Sequence, residues 1–222
     1  MTPFDLYQIL LTVHGPRHWW PAKEAFEMMV GAILVQNTAW TQACKAVQLV
    51  ASAGLLHPAA IRQVPDATLW ELIRPAGYFR VKTRRLKALA EFLACFGDEP
   101  ASLFALETGP LREKLLQVHG IGKETADSIL CYEAKRPFFI VDTYTKRLFS
   151  RLGWVAPQAE YDLIQGMVHA AFPADPQALG EFHALIVAHA QSHCRKKPVC
   201  VGCPVPGCPC NPLAPLQKKG PP

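Results

Sequence analysis

Apolar residues recur along most of this chain at the three- and four-residue spacing of helices that bury one face. One such series is formed by Phe26, Met29, Val30, Ile33 and Leu34. The same spacing returns in two later segments, at Leu86, Leu89, Ala90 and Leu93 and at Leu163, Met167, Val168 and Ala171. Turn signals rich in glycine and proline separate these series, and no segment shows the period-two alternation typical of strands. The pattern therefore predicts an all-α protein of about ten short helices.

Composition indicates that these helices form a globular protein. The chain has 222 residues, of which 50% are hydrophobic and 18% charged, so a core can form in one or two small domains. No run of 18 apolar residues occurs in the sequence, and the first residues lack the basic and apolar stretches of a secretory signal. We therefore expect a cytoplasmic protein that does not span a membrane.

Positive charge is concentrated in two parts of the chain. The net charge is +5, and from Phe182 onward there are five lysines and arginines but no aspartate or glutamate. Arg195, Lys196 and Lys197 are consecutive within this part. A second basic cluster comprises Arg80, Lys82, Arg84, Arg85 and Lys87. Such clusters favour a polyanionic partner, although a solvated surface without a partner has the same composition.

Five of the eight cysteines lie close together near the end of the chain. They are Cys194, Cys200, Cys203, Cys208 and Cys210. In a cytosolic protein this crowding favours metal or cluster ligation over disulfides. Four thiolates suit either a [4Fe–4S] cluster or an all-cysteine zinc site, and the spacing by itself leaves the two open.

A helix-hairpin-helix is predicted in the middle of the chain. Leu111–Gln117 and Lys123–Tyr132 have helical periodicity, and Val118–Gly122 interrupts it. Gly120 and Gly122 allow positive φ and leave no Cβ in the way of an approaching group. The backbone N–H groups of the hairpin and of the second helix can then bind a phosphate without reading base sequence.

An aspartate follows this hairpin at a distance of 20 residues from Gly122. Asp142 ends the apolar run Phe138–Val141 and precedes a helical pattern over Tyr144–Leu152, which places it at or near a helix N-cap. Capping alone would account for the residue. A carboxylate at the edge of a dry site could also stabilise developing positive charge or activate water, so Asp142 is a candidate catalytic residue.

The hairpin, followed after about twenty residues by Val141-Asp142-Thr143, resembles the endonuclease III-type superfamily of DNA base-excision glycosylases. The resemblance covers roughly residues 20–210. It implies an all-α protein of two domains: a six-helix barrel at 24–134, and a second helical domain from residues 1–23 and 135–193. It also implies that Asp142 stabilises the sugar oxocarbenium ion. The tail at 211–222 is rich in proline and lysine, and we expect it to be disordered.

The residues after the hairpin depart from the strand-cutting members of this superfamily. Those proteins have a basic residue and then a catalytic lysine before Thr-Ala, where this chain has Lys123 and Glu124. A carboxylate cannot form the Schiff base that strand cleavage needs, and Lys123 is displaced by about 100° around the helix. The resemblance therefore implies a monofunctional glycosylase with water as the nucleophile.

One subgroup is more similar still, the 3-methyladenine DNA glycosylases of the endonuclease III type. The shared segments are Trp19-Trp20-Pro21, Ala32–Thr38 and Gly120–Glu124. The resemblance implies that a flipped base is bound by Trp19, Trp20, Pro21 and Trp40, with Glu124 and Asp142 at the rim of the pocket. Indole faces attract the positive charge of N3-methyladenine, although paired tryptophans can also serve only as core.

The resemblance assigns further DNA contacts. Gln36 matches a residue that fills the gap left by the flipped base, and Tyr78 matches a wedge into the opposite strand. The arginines and lysine near this wedge, together with the basic cysteine segment, are expected to contact phosphates: Arg80, Lys82, Arg84 and Arg195. A purely structural role is the alternative for Gln36 and for Tyr78.

The resemblance also favours iron in the cysteine segment 194–210, which matches the [4Fe–4S] loop of that superfamily. The usual last interval of the loop is five residues, whereas Cys208 and Cys210 follow Cys203 after four and six. One of these two cysteines is expected to be the fourth ligand, with Cys208 preferred.

Three functions from different classes follow. The leading hypothesis is a monomeric, monofunctional glycosylase that removes alkylated purines such as 3-methyladenine from damaged double-stranded DNA. The second is a bifunctional glycosylase and lyase for oxidised pyrimidines, in which Lys123 replaces the missing lysine. The third is a non-catalytic protein that binds damaged DNA. Substitution of Asp142 should abolish turnover under the first hypothesis and change nothing under the third.

Overall fold

The computed structural model describes residues 1–211, which form two compact units. One unit contains Met1–Trp19 together with residues 135–211, and the other is Trp20–Ala134. Every regular element of the described residues is helical, which confirms the predicted all-α class. There are twelve α-helices in this part of the chain, rather than about ten, because several helices are too short to show a clear apolar period. The tail expected to be disordered lies, apart from Asn211, outside the described residues.

The unit Trp20–Ala134 holds eight α-helices and one turn of 3-10 helix. They are α2 (Ala25–Leu34), α3 (Trp40–Ser52), α4 (Pro58–Gln63), α5 (Asp66–Ile73), the 3-10 turn (Arg74–Ala76), α6 (Phe79–Ala94), α7 (Pro100–Phe104), α8 (Thr108–Gln117) and α9 (Lys123–Tyr132). Helix α2 is buried over most of its surface and packs against α3, α6 and α9. A helix that is apolar all round belongs at the centre of a core, and α2 therefore forms the axis of this unit.

The other unit holds α1 (Pro3–His14), α10 (Thr143–Arg151), α11 (Tyr161–Ala171) and α12 (Pro176–Ser192). Its core is aromatic: the Phe182 ring stacks on Phe139 and Phe172 at centroid distances of 5.4 and 5.0 Å. Helix α12 packs against both α1 and α10. Helices that precede and follow the other unit in sequence therefore share one core. No helix of residues 1–211 is long and apolar enough to cross a membrane.

Candidate functional site

The predicted hairpin is present between α8 and α9. Gly120 has φ of +87°, and Gly122 is the extended N-cap residue of α9. Val118 and Ile121 are buried, whereas Gly122, Lys123 and the neighbouring His119 are exposed. Within the described residues no side chain caps α9 at its N-cap position. The buried apolar residues therefore fix the hairpin to the core, and the N-terminus of α9 stays exposed. An exposed helix N-terminus suits phosphate binding.

Gly120 could not be replaced by another residue without distortion. Its φ is strained for an L residue, and an added Cβ would collide with the side chain of Arg85. Arg85 donates to Oε1 of Gln36, and Nε2 of Gln36 donates to the Gly120 carbonyl at 3.0 Å and to Oγ1 of Thr125 at 2.9 Å. Arg85 and Gln36 thus hold the hairpin from α6 and from the end of α2. Insertion of Gln36 into DNA stays a prediction.

A buried ion pair joins the two helices of the hairpin. Arg112 of α8 binds Asp127 of α9 through Nε–Oδ1 at 2.7 Å and Nη2–Oδ2 at 3.1 Å. The Asp127 side chain is fully buried and that of Arg112 is 20% exposed. A two-point guanidinium–carboxylate pair fixes direction as well as distance, so it sets the angle at which α8 and α9 meet.

Tyr78, the expected wedge, stands at the start of α6. Its side chain is 72% exposed and its φ is +46°, in the left-handed region that non-glycine residues rarely adopt. Gly77 before it also has positive φ, which makes the turn sharp enough to project the ring. Arg80 and Arg84 are exposed on the same helix, and the Arg80 guanidinium lies 5.0 Å from the Trp70 ring. An exposed aromatic ring on a strained turn is consistent with a role outside the core.

The prediction that Lys82 contacts phosphate is wrong. Lys82 is 1% exposed, and its Nζ donates to the carbonyls of Leu34 and Ala76 and to Oγ1 of Thr38 at 2.7–2.8 Å. Burial lowers the pKa of this lysine to about 8. The residue ties the end of α2 to the segment before Tyr78. Its spacing to Leu86 and to later core residues of α6 is helical, and this period could have identified it as buried.

Two of the expected pocket tryptophans lie together in one unit. The rings of Trp20 and Trp40 meet edge to face with centroids 4.8 Å apart, and Tyr132 lies 5.7 Å from Trp20. The absence of a side chain at Gly31 leaves space for the Trp20 ring, because an added Cβ would lie only 3.2 Å from Cζ2 of Trp20. Trp20 and Trp40 are only partly buried, so aromatic surface stays accessible to a ligand.

Three further expected pocket and rim residues, Trp19, Pro21 and Glu124, are exposed or half-buried. Pro21 is exposed in the same unit, and Trp19 is half-buried and belongs to the other unit. Glu124 is exposed in the first turn of α9, where its backbone carbonyl accepts a hydrogen bond from Oγ of Ser128 at 2.7 Å.

Asp142 is the N-cap of α10, as the sequence pattern predicts. Its Oδ1 accepts from the Thr145 N–H at 2.7 Å, and its Oδ2 lies 3.5 Å from Nε2 of His183 on α12. Both Asp142 and His183 are buried. Burial by itself raises the pKa of Asp142, but the hydrogen bond and charge of His183, with the Thr145 N–H, hold that pKa below its ordinary value. The carboxylate is therefore ionised at neutral pH.

Side chains from α11 support the extended segment that leads to Asp142. This segment belongs to no helix or sheet, so its backbone groups need other partners. His169 accepts from the Phe139 N–H at 2.9 Å, Gln165 donates to the Phe139 carbonyl at 2.7 Å, and the Tyr161 hydroxyl accepts from the Val141 N–H at 3.4 Å. Sequence reasoning missed these partners and His183, because nothing local links them to Asp142.

The five clustered cysteines line one cavity of their unit. The cavity is also lined by His189, His193 and Arg151. No three Cys, His, Asp or Glu side chains of residues 1–211 are placed to hold a single metal ion. A four-iron cluster differs in its demands, because each thiolate binds a different iron, so the sulfurs surround the group instead of meeting at a point. Five thiols that line one cavity fit this demand.

Two arginines of α10 connect this cysteine segment to the helix that Asp142 caps. Arg151 donates to Sγ of Cys194 at 3.2 Å and to the carbonyls of Arg195 and Lys196 at 2.7 and 2.9 Å. Arg147 donates to the Cys194 carbonyl at 2.8 Å. The side chains of Arg195 and Lys196 are exposed, with Nε of Arg195 donating to the Gln191 carbonyl at 2.6 Å, and their positive charges favour a polyanionic partner.

Comparisons with known proteins agree with this arrangement. Residues 30–170 match the family described as HhH-GPD superfamily base excision DNA repair protein. A protein of Methanocaldococcus jannaschii named as a DNA repair glycosylase is 43% identical over 91% of this chain and 93% of its own length. Endonuclease III of Sulfolobus acidocaldarius is 29% identical, over 82% of this chain and 79% of the relative. The crystal structure of H. pylori 3-methyladenine DNA glycosylase bound to 1,N6-ethenoadenine superposes with a TM-score of 0.74 at 26% identity, covering 86% of this chain and 98% of that one.

Proposed function

Because this chain belongs to the HhH-GPD superfamily of base excision DNA repair proteins, we propose that it is a monofunctional DNA glycosylase that removes alkylated purines such as 3-methyladenine. The observation that carries the proposal is a carboxylate, Glu124, at the second residue of α9, where a strand-cutting enzyme of this type would need a lysine. The likeness to the H. pylori 3-methyladenine DNA glycosylase supports the substrate class.

The accessible aromatic surface of Trp20 and Trp40 supports a cationic base as the ligand. N3-methyladenine and N7-methylguanine carry positive charge in DNA, and an indole face attracts a cation by about 0.5–2 kcal/mol depending on its desolvation. Glu124 adds a negative charge that favours the same ligand over a neutral base. Trp19 and Pro21 complete the proposed set of base contacts. An undamaged purine would gain the stacking but not the electrostatic attraction.

Base release breaks the bond between C1′ of the sugar and N9 of the purine. The bonding electrons leave with the base, so cationic 3-methyladenine departs as a neutral molecule and the sugar becomes an oxocarbenium ion. The ionised Asp142 stabilises this positive charge. Water then bonds to C1′ through its oxygen and loses one proton to a carboxylate or to solvent, which leaves an abasic site.

Backbone contacts and the exposed turn would hold the DNA. The hairpin at Gly120 and Gly122, with Lys123, binds phosphates of the damaged strand. Tyr78 enters the duplex as a wedge. Gln36 occupies the gap left by the flipped base, for which it must release its bonds to the Gly120 carbonyl, Thr125 and Arg85. Further phosphate contacts are proposed for Arg80, Arg84 and Arg195.

The proposal is tested by measuring what the purified protein releases from duplex DNA treated with a methylating agent. We expect free 3-methyladenine in the supernatant and abasic sites left uncut until alkali is added. Sodium borohydride should trap no covalent protein–DNA adduct. Release of oxidised pyrimidines with a trapped adduct would replace the proposal by the bifunctional function through Lys123. Binding without release of any base would indicate the non-catalytic function.

We further propose that the cysteine segment binds a [4Fe–4S] cluster through Cys194, Cys200, Cys203 and Cys208. Burial raises the pKa of the Cys203 and Cys208 thiols, and the neighbouring thiols raise it further. A cationic centre is what would hold several such groups together as thiolates. When bound, the cluster would cross-link the segment and order it around Arg195. Cys208 is half-buried whereas Cys210 is exposed, which favours Cys208 as the fourth ligand.

Replacement of Cys208 by serine is therefore expected to remove most of the bound iron, and replacement of Cys210 to leave it in place. The two variants are a matched pair, since they make the same change two residues apart in the same segment. Iron and zinc content per protein and visible absorption are the measurements, on protein purified without oxygen. Iron loss in Cys210→Ser alone would assign the fourth ligand to Cys210. A colourless protein with stoichiometric zinc would replace iron by an all-cysteine zinc site.

A further inference from the structure

The carboxylate of Asp142 is held at both of its oxygens by groups from two different helices. Thr145 on α10 binds Oδ1 through its backbone N–H, as in any N-cap. The second oxygen faces Nε2 of His183, which α12 supplies across the interior of the same unit. A helix cap needs only one carboxylate oxygen, so the contact with His183 is not required for capping.

We infer that His183 is a positioning residue for the reaction of Asp142, on the premise of the proposed glycosylase function. The contact with the imidazole fixes the torsion of the Asp142 carboxylate about its Cβ–Cγ bond. The hydrogen bond from the Thr145 N–H does not fix this torsion by itself. Because a carboxylate only accepts hydrogen bonds, Nε2 of His183 must carry the hydrogen, and Oδ2 is thereby held in one direction. His183 touches neither base nor sugar in this assignment. It acts through Asp142.

The position of His183 in α12 supports this role. The residue follows Leu179 by one helical turn and lies next to Phe182, both of which are buried in the core. A polar side chain on an apolar helix face costs free energy unless it has a partner. The side chain of Asp142 is this partner. The contact links the N-cap of α10 to the buried face of α12. Movement of the carboxylate is thereby coupled to movement of a whole helix, which makes its position rigid.

The pH behaviour of Asp142 follows from the same contacts. Among the described residues, His183 on α12 is the side chain whose interactions lower the pKa of Asp142 most, by a hydrogen bond and a coulombic interaction. From α11 the Tyr161 hydroxyl binds the N–H of the preceding residue, and on α10 the Arg147 guanidinium is directed to the Cys194 carbonyl. Without His183, burial would still raise the pKa of Asp142, and the interaction that lowers this pKa most would be gone. The pKa of Asp142 should then rise, and a smaller fraction would be ionised in mildly acidic solution.

Three substitutions of His183 separate positioning from packing. In glutamine the amide nitrogen takes the place of Nε2, in asparagine it takes the place of Nδ1, and in alanine the donor is absent. We expect kcat for base release to fall by about 10²-fold in His183→Asn and His183→Ala with KM nearly unchanged, and to be partly restored in His183→Gln. The acidic limb of the kcat profile should move upward by about one pH unit in the two impaired variants.

Leu179→Ala is the matched control, because it removes a buried side chain from the same helix without touching the carboxylate. It should lower the melting temperature while leaving the pH profile in place. A second measurement is independent of catalysis: the 13C resonance of the Asp142 carboxyl, followed against pH in the wild type and in the His183 variants.

The outcomes distinguish this inference from the proposed function. If the wild type releases no base, the proposed function fails, and the NMR titration still shows whether His183 sets the ionisation of Asp142. If the wild type is active and His183→Asn equals His183→Gln in rate and in acidic limb, His183 is a packing residue and the inference is overturned. An unchanged carboxyl titration in His183→Ala would overturn it as well.

Discussion

Substitution of Asp142 by asparagine is expected to lower the rate of base release by about 10²–10³-fold while leaving DNA binding and the fold intact. Asparagine caps a helix as well as aspartate does, so its amide oxygen can still accept from the Thr145 N–H. The neutral amide cannot offset the positive charge of the oxocarbenium ion. The measurements are single-turnover release of 3-methyladenine and affinity for a duplex with an abasic-site analogue.

The chain offers a matched control in Asp175, which caps α12 in the same unit by accepting from the Gln177 N–H at 2.9 Å. Asp175→Asn makes the same change at an exposed helix start and should leave release unchanged. Equal rates in Asp142→Asn and the wild type would remove Asp142 from the reaction. Equal losses in both variants would point to a general effect on the unit.

The lowered pKa of Asp142 also gives this variant a pH signature in its stability. A carboxyl group whose pKa is depressed in the folded state stabilises that state at pH values above its unfolded pKa, near 3.8. The stabilisation is lost as pH falls through the lower folded value. The melting temperature of Asp142→Asn should therefore lie below that of the wild type at neutral pH, and the difference should shrink in strong acid.

The second large effect is expected in the hairpin, where Asp127→Ala should destabilise the protein by about 3–5 kcal/mol. The substitution removes a fully buried carboxylate and leaves the Arg112 guanidinium largely buried without its two-point partner. For a chain of this length the melting temperature should fall by about 10 °C. Affinity for undamaged duplex DNA should fall too, because the angle between α8 and α9 positions the N–H groups that bind phosphate.

Asp66→Ala is the control for this loss. The Lys87–Asp66 pair lies in the same unit at 2.8 Å, but the Asp66 side chain is 50% exposed. Its removal should cost no more than about 1 kcal/mol, since exposed ion pairs contribute little. Calorimetry and DNA titration of the two variants provide the test. A melting temperature for Asp127→Ala within a degree or two of the control would show that the hairpin does not depend on the pair.

Much of the fold and some of the candidate site were predictable because they depend on residues close together in sequence. Helical spacing identifies α2, α6 and α9, and the two glycines identify the hairpin. Asp142 was placed at a helix N-cap from the apolar run before it and the helical pattern after it. The same local reasoning was wrong for Lys82, since it treated the residue as one of a row of positive charges and did not weigh its position on the core face of α6.

The contacts that give these residues their properties join distant parts of the chain. His183 reaches Asp142 from 41 positions away, and Gln36 meets Gly120 across 84. Such pairs form only when helices pack against each other, and the local sequence around one partner does not predict which residue the other will be. The ionisation of Asp142 and the bracing of Gly120 could therefore not be predicted from either segment alone.

The helical class, the hairpin, the cap position of Asp142 and the carboxylate at Glu124 follow from the amino-acid sequence, because each depends on residue type and near-neighbour spacing. The burial of Lys82, the pairing of Asp127 with Arg112 and the contact of His183 with Asp142 became known from the folded structure. Burial and pairing of charged groups depend on which helix faces pack together, and contacts between residues far apart in sequence determine that packing.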